Sequence, residues 1–411
     1  MNIWLTQDGE NLPVGDHVKK MRTWMLGEAL SARGHQVTWW ASNFLHIKKE
    51  KVSDGDIDVK INDNFQAKLI DAGIYKKNIS FQRILQNRRL AKKFYKEALK
   101  LPPPDIIIAS MPSLDLVHYV IKYGQKFDVP VIVDIRDMWP DIFKDYFKPG
   151  LLKIGVCILS WFLSLRLAYN LRKASALAAV SNTMLDWGKA KIGNHKNKKI
   201  KSRVFYLGYD EPDGEIDNTF QPHPRNDYKD KIVFIVIGIL GGSYDLESII
   251  RCAKVLQDED DNRCHFIIAG DGPKRKTLET LAADLRNVTL SGWVNKEESS
   301  CILKQSDVYM IPSLNVTVPN RFFEALYFGL PILHSLEGEV KKVVEEFHAG
   351  CYYEKKSDNQ LLENIKLLRD NRDIAKTMAQ NSKELYKKMF NKNRIYDEYC
   401  DFIKDTTQEN K

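Results

Sequence analysis

Short apolar runs alternate with stretches of helical spacing along this chain, and they do so in two blocks. The first block holds apolar runs at 3–6, 36–42, 67–72, 105–110, 129–136, 176–181 and 203–208. The second holds runs at 231–240, 265–270, 287–294, 307–313 and 331–335. Runs this short, bounded by turn residues, read as buried strands. The stretches between several of them read as helices, among them residues 18–34, with Gly34 placed to stop it. Such alternation gives right-handed βαβ units and parallel sheets. Residues 209–230 are polar and rich in Pro, Asp and Asn, so they read as a linker. Beyond Gly350 the chain reads as helical and charged. At 411 residues more than one core is expected. The expected fold is α/β: two doubly wound, Rossmann-like parallel-sheet domains, 1–208 and 231–385, facing each other across a cleft. A last helix within 386–411 is expected to cross back to the first domain.

Composition narrows the classes. The six cysteines form no C-x-x-C pair and the nine histidines show no ligand spacing, so no metal site or other cofactor is expected. The first residues, MNIWLTQDGE, lack the basic and apolar regions of a secretory signal, and a cytoplasmic setting is expected. The net charge of +8 is uneven: Lys144 to Arg203 carries thirteen Lys and Arg against two acids, leaving −3 for the rest. Inside that segment lies the apolar run Gly155 to Leu165, too short by itself to span a bilayer. Two readings stay open for 144–173: a core helix with a solvated basic face, or a basic amphipathic helix lying on an anionic membrane surface. Nucleic acid is not an expected partner, because the aromatics sit in the apolar run rather than among the lysines.

Five strand-to-helix turns carry polar residues suited to chemistry. Gly238 to Ile250 has three glycines at the end of a strand, with Ser243 or Asp245 able to cap the helix that follows. Gly270 to Glu279 opens with Gly270, Gly272 and Pro273, the proline suited to the first helical position. Its Lys274, Arg275 and Lys276 suit a solvated helix surface better than a phosphate. In Pro319 to Ile332, Asn320, Arg321 and Glu324 share one helix start, backed by apolar residues. Backbone N–H groups at such a start attract anions, an arginine pairs with phosphate in two-pronged fashion, and a carboxylate accepts from two vicinal hydroxyls. In Val133 to Asp141, Arg136 and Asp137 stand at a strand's carboxyl end, either facing a ligand or tied to Asp134 to hold the loop. The first turn, Pro13 to Lys20, offers Gly15, Asp16 and His17. Two helix starts in one sheet, the second bearing a cation and an acid, suit a nucleotide diphosphate and a diol.

Taken together, RGHQVTWWAS, VDIRDMWPD, LAAVSN, FYLGYD, GDGPKRKTLE, SGWV, DVYMIPS and FFEALYFGLPI resemble glycosyltransferase family 4, retaining enzymes of the GT-B fold, over nearly the whole chain. The R-D-x-W-P and P-N-R-F-F-E segments are most similar to a subgroup that builds bacterial capsules, O-antigens and exopolysaccharides. The resemblance implies a nucleotide-sugar donor, UDP-linked, and transfer of a hexosyl or N-acetylhexosaminyl group to a polyprenyl-diphosphate-linked saccharide. It places the enzyme as a peripheral protein on the inner face of the cytoplasmic membrane. The implied donor set is Gly15, Gly241, Gly242, Ser243, Gly270, Gly272, Trp293, Val294, Asn320, Arg321 and Glu324. His17, Arg136 and Asp137 fall on the acceptor side, and Asp137, Arg321 and Glu324 are the implied catalytic groups. The family's signature is a pair of glutamates, and Glu324 matches the second, which holds the ribose. The first falls at Val316 and is missing here. The usual Arg and Lys that clamp the diphosphate are missing from the Gly238–Asp245 loop, which leaves Arg321 and the backbone of Gly241 to Ser243. Asp137 takes, by position, the slot of a family histidine. Two other classes remain: a nucleotide-sugar epimerase on the same fold, and a non-catalytic partner that binds lipid-linked glycans.

Overall fold

The computed structural model describes residues 1–410 apart from 16, 17, 19, 47, 79, 146–149, 194–199, 210–227 and 315–317. The chain forms two compact units, one from Met1–Tyr206 with Asn393–Lys411, the other from Leu207–Lys392. The greater part of the expected linker, and with it any account of that segment, lies outside the described residues.

In the first unit the chain runs β1 (Asn2–Thr6), α1 (Arg22–Ala32), β2 (Gln36–Ser42), a short ribbon of β3 (Phe44–Leu45) and β4 (Glu50–Lys51), then β5 (Ile57–Asn62) and β6 (Phe65–Ile70). It continues through α2 (Phe81–Ala98), β7 (Ile106–Ser110), α3 (Leu114–Phe127), β8 (Val131–Ile135), α4 (Leu151–Lys173), β9 (Ala176–Ala179), α5 (Asn182–Ile192) and β10 (Lys201–Val204). The sheet order is β10-β9-β8-β7-β1-β2-β6-β5. Its strands are parallel except β5, which pairs antiparallel with β6 at the edge. Every residue of β7, β8 and β9 is buried, the pattern of parallel strands covered on both faces.

The second unit runs β11 (Ile232–Ile237), α6 (Leu246–Asp258), β12 (Cys264–Ala269), α7 (Arg275–Ala282), β13 (Val288–Gly292), α8 (Lys296–Lys304) and β14 (Val308–Ile311). It ends with α9 (Asn320–Phe328), β15 (Ile332–His334), α10 (Glu339–Glu346), β16 (Gly350–Tyr352), α11 (Asp358–Asp370) and α12 (Arg372–Leu385). Here the order is β13-β12-β11-β14-β15-β16, all parallel. The final helix, α13 (Lys392–Glu409), belongs to the first unit. It sets Ile395, Tyr396, Tyr399, Cys400, Phe402 and Ile403 into that unit's core, where Tyr399 stacks on Phe205 with ring centroids 4.2 Å apart.

Helix α4 departs from both readings of its segment. It is 23 residues long, and Lys153–Lys173 is long and apolar enough to cross a membrane by length and composition. It is not a core helix: Ile154, Ile158, Trp161, Phe162, Leu165 and Tyr169 are each about half exposed. Nor is its outer face basic along most of its length: those side chains are apolar, Arg166 is drawn inward to Asp115 at 2.7 Å, and Arg172 and Lys173 are exposed only at its end. Asn170, buried, meets His118 at 3.1 Å, so polar contacts on one side fix the helix along α3.

Candidate active site

The second unit's strand order reverses between β11 and β14. From β11 the chain builds outward through β12 and β13, then crosses back to β14 on the other side. Loops leaving two such strands part in opposite directions and open a crevice at their carboxyl ends. The loop after β11 is laced to the one after β14: Asp245 N donates to Pro312 O at 2.9 Å and Leu314 N to Ser243 O at 2.9 Å. Tyr309, buried on β14, donates to Ile237 O at 3.1 Å across the same gap.

The glycines divide by what surrounds them. A Cβ on Gly270 would stand 1.8 Å from Gly238 O, and one on Gly272 would stand 2.6 Å from Leu240 O. Those two serve the close packing of one loop on the other. Around Gly242 nothing lies within 4 Å of an added Cβ, and Gly241 meets only Ile239 at 3.8 Å. It is Gly241 and Gly242 that leave the backbone open to a ligand. Pro273 does not begin the helix, which starts at Arg275. Lys274 pairs with Glu247 at 2.7 Å and Arg275 with Glu279 at 2.8 Å, so both belong to the helix surface. Asp245 is the N-cap position of α6, without a side-chain cap bond. Trp293, just past β13, is 71% exposed and presents an indole face at the carboxyl end of the sheet, with half-buried Val294 beside it.

Helix α9 begins after Pro319, with Asn320 exposed at its first position. Phe322 and Phe323 anchor it against Phe390. Arg321 and Glu324, one turn apart on the same helix, both meet Ser299 of α8. Arg321 Nη1 donates to Glu324 Oε2, and Ser299 Oγ on α8 donates to Glu324 Oε1 at 3.3 Å. Glu324 is only 2% exposed. Burial works against the Arg321 charge, but Glu324 and the nearby Tyr309 outweigh it and hold the guanidinium above its ordinary value. Its Nε and Nη2 make no hydrogen bond among the described residues, which leaves one edge of the fork for an anion. Ser299 was not foreseen; it sits inside the polar stretch KEESS, where nothing marks one serine as buried. Val316, where a first glutamate would fall, lies outside the described residues.

In the first unit, four charges share the space beneath the carboxyl ends of β1 and β8. Asp134 accepts from Arg22 Nε at 2.9 Å, Arg22 Nη2 at 3.1 Å and Arg136 Nε at 2.9 Å. Arg136 also donates to Glu10 and to Thr23 Oγ1 at 2.8 Å, and Glu10 accepts from Thr23 N at 3.0 Å at the start of α1. Arg22 Nη1 reaches Phe205 O at 2.6 Å and Tyr206 O at 3.1 Å. Two cations and two anions therefore close on one another. Arg136 joins this network through Nε and Nη1 and so ties its loop to Asp134, one of the two arrangements expected for it. Burial opposes ionisation of Asp134, yet the two arginines pull its carboxyl down to about 2. Asp137, next in the chain, accepts from the Met138 amide at 2.8 Å. Burial lifts its carboxyl above the ordinary aspartate range against the pull of the Met138 amide, Trp139 and Arg83. Gly15, at φ +90, occupies the left-handed region, and nothing lies within 4 Å of a Cβ built on it; His17 lies outside the described residues.

Two family models match this chain, one described as Glycosyltransferase Family 4 over residues 21–211, the other as Glycosyl transferases group 1 over 217–385. Sucrose-phosphate synthase of Thermosynechococcus elongatus superposes with a TM-score of 0.72 at 15% identity, covering 99% of each chain. The chain belongs to the glycosyltransferases of the GT-B fold. Anabaena Alr3699/HepE, solved with UDP, superposes at a TM-score of 0.66 and 13% identity, over 98% of this glycosyltransferase and 100% of that chain. Sulfoquinovosyl transferase SQD2 of Arabidopsis thaliana is 24% identical over 279 residues, 66% of this chain. The chain spans 50% of that relative's length.

Proposed function

We propose that this glycosyltransferase moves a hexosyl or N-acetylhexosaminyl group, with retention, from a UDP-sugar to a polyprenyl-diphosphate-linked saccharide in bacterial surface-polysaccharide synthesis. The observation that carries the donor half is the pairing of Arg321 with Glu324 at the second unit's switch point, beside the open backbone of Gly241 and Gly242. A nucleoside diphosphate leaves readily, so the protein's task is to balance charge growing on the β-phosphate. The edge of Arg321 without a partner among the described residues, the amides of Gly242 and Ser243 and the N-terminus of α9 suit that task. Glu324 keeps lone pairs beyond those used by Arg321 and Ser299, enough to accept from two ribose hydroxyls. Trp293 offers a face on which a base can stack. A neighbour of the same fold was solved with UDP, which supports the choice of nucleotide. In this reading Asp137, whose carboxyl burial raises, takes the proton from the acceptor hydroxyl. No metal or other cofactor enters this reading.

The acceptor half rests on α4. Its exposed apolar stripe, with Arg172 and Lys173 exposed at its end, fits the interfacial layer of an anionic bilayer, so we assign the protein to the cytoplasmic face of the membrane. The test is incubation with UDP-, GDP- and ADP-sugars, with and without membranes bearing lipid-linked saccharide. The expected result is acceptor-dependent release of UDP and an axial product linkage from an axial donor by NMR. Isomerised donor without acceptor would make the protein an epimerase, and absence of nucleotide binding would make it a silent partner.

A further inference from the structure

We propose that the carboxyl-end rim of the first unit carries a phosphate-binding subsite, built from Lys49 and Arg83 around the ring of Tyr75. The ring of Tyr75 is buried between Phe44, 4.7 Å away by centroid, and the two cations. The Lys49 ammonium stands 4.6 Å from the Tyr75 centroid, and the Arg83 guanidinium 5.6 Å from it and 4.7 Å from that of Trp139. Aromatic faces hold a cation in place without neutralising it. Both cations are also tied to one neutral residue: Lys49 donates to the Asn78 side-chain oxygen, and Arg83 Nη1 to the Asn78 carbonyl at 3.0 Å.

No carboxylate lies within ion-pair distance of Lys49 or Arg83 among the described residues. Their neighbours differ, since Lys51 pairs with Asp71 and Lys68 with Asp58. Like charges gathered around one ring repel, and the repulsion is felt locally. Burial and Arg83 pull the Lys49 ammonium below its ordinary value, and burial with both cations pushes His46, bonded to the Tyr75 hydroxyl, down to about 4. Lys49 is held at φ +62, a left-handed conformation that costs a non-glycine residue free energy. An anion seated between the two cations relieves the repulsion. The start of α2 adds to it: Ser80 caps the helix, Arg83 stands in its first turn and no acid does.

Exposed Ile74, Phe81 and Ile84 flank these residues in sequence, an apolar border fitting a phosphate attached to a lipid. This deepens the proposed function and rests on its reading that the acceptor carries a diphosphate. The arrangement also sets the anion near Asp137, whose carboxyl feels the Arg83 charge.

The test is calorimetric titration of inorganic pyrophosphate into the full chain saturated with UDP, so that the second unit's site is filled. The expected result is one further binding event, weakened about tenfold or more in Arg83→Ala and in Lys49→Ala, retained in Arg83→Lys and unchanged in Arg321→Lys. No such event, or one indifferent to Arg83→Ala, overturns the subsite. If UDP fails to bind, the donor reading fails, and the same titration without nucleotide still reads the subsite. Cosedimentation with phosphatidylcholine vesicles carrying polyprenyl diphosphate, against competition by glucose 6-phosphate in solution, separates a lipid source from a soluble one. Arg83-dependent capture by either supports the subsite, and by neither overturns it.

Discussion

Arg321 and Glu324 cannot be tested by simple deletion, because removing the guanidinium strands a carboxylate that is almost wholly buried. Losing one partner of a buried pair costs about 3–5 kcal/mol, which would confuse lost folding with lost catalysis. Substitutions that keep charge or shape avoid this. Arg321→Lys keeps the charge and loses the planar fork, and should lower turnover by roughly 10² while nucleotide-free melting moves little. Glu324→Gln keeps the volume and should raise the donor KM more than it lowers kcat. Initial rates over a range of donor concentrations separate the two, and near-normal constants in both would remove them from the site. Asp134 makes a different prediction. Its carboxyl lies at about 2 against an ordinary 3.8, so the folded state favours its charge. That stability is fully present above the unfolded value and is lost as pH falls through the folded one. Asp134→Asn should therefore cost stability at pH 7 and progressively less from pH 4 toward pH 2, as read by urea unfolding. A cost independent of pH would mean that shape, not charge, is what matters there.

Helix α4 is where reading by composition failed most usefully. The basic residues of 144–173 suggested a charged outer face, but composition does not say which side of a helix each residue occupies. Arg166 turned inward to Asp115, and the apolar side chains turned out. Membrane attachment should accordingly depend on Trp161 and Phe162, 57% and 58% exposed, more than on Arg166. Trp161→Ser with Phe162→Ser should abolish cosedimentation with anionic vesicles at both low and high salt, leaving thermal melting unchanged. Binding lost to salt alone and indifferent to these two changes would restore the basic-face reading. Other elements were legible in proportion to their burial. Strands β7, β8, β11 and β12 announce themselves because a run buried on both faces is apolar throughout. Strand β5, an exposed edge reading IDVKIN, and β16, three residues long, offer no such contrast. The helix start at Asn320 was readable because its cation and acid are three residues apart. In the network of Glu10, Arg22, Asp134 and Arg136, the Asp134–Arg136 pair was readable, two residues apart, but Arg22 and Glu10 were not, because they lie 112 and 126 residues from their partners.

The connectivity of the whole chain carries a consequence for how it is made. The first unit is discontinuous: Met1–Tyr206 is completed only by Asn393–Lys411, with the entire second unit between them. Helix α13 supplies six side chains to the first unit's core, and the Phe205–Tyr399 stack is fully buried. Truncating one such aromatic to alanine costs about 3–5 kcal/mol, against a total domain stability of about 5–15 kcal/mol. A chain ending at Asn391 should therefore keep a folded second unit and lose the first. Scanning calorimetry should show the first unit's transition vanish while the second unit's remains, and UDP should still shift the surviving transition upward. Tyr399→Ala, which leaves the helix in place, should lower the first transition without abolishing it. The core could be complete without α13; truncation would then leave both transitions where they are in the full chain. On the expected outcome, the first 206 residues wait for the last 19 before they can close, and the second unit folds while they wait.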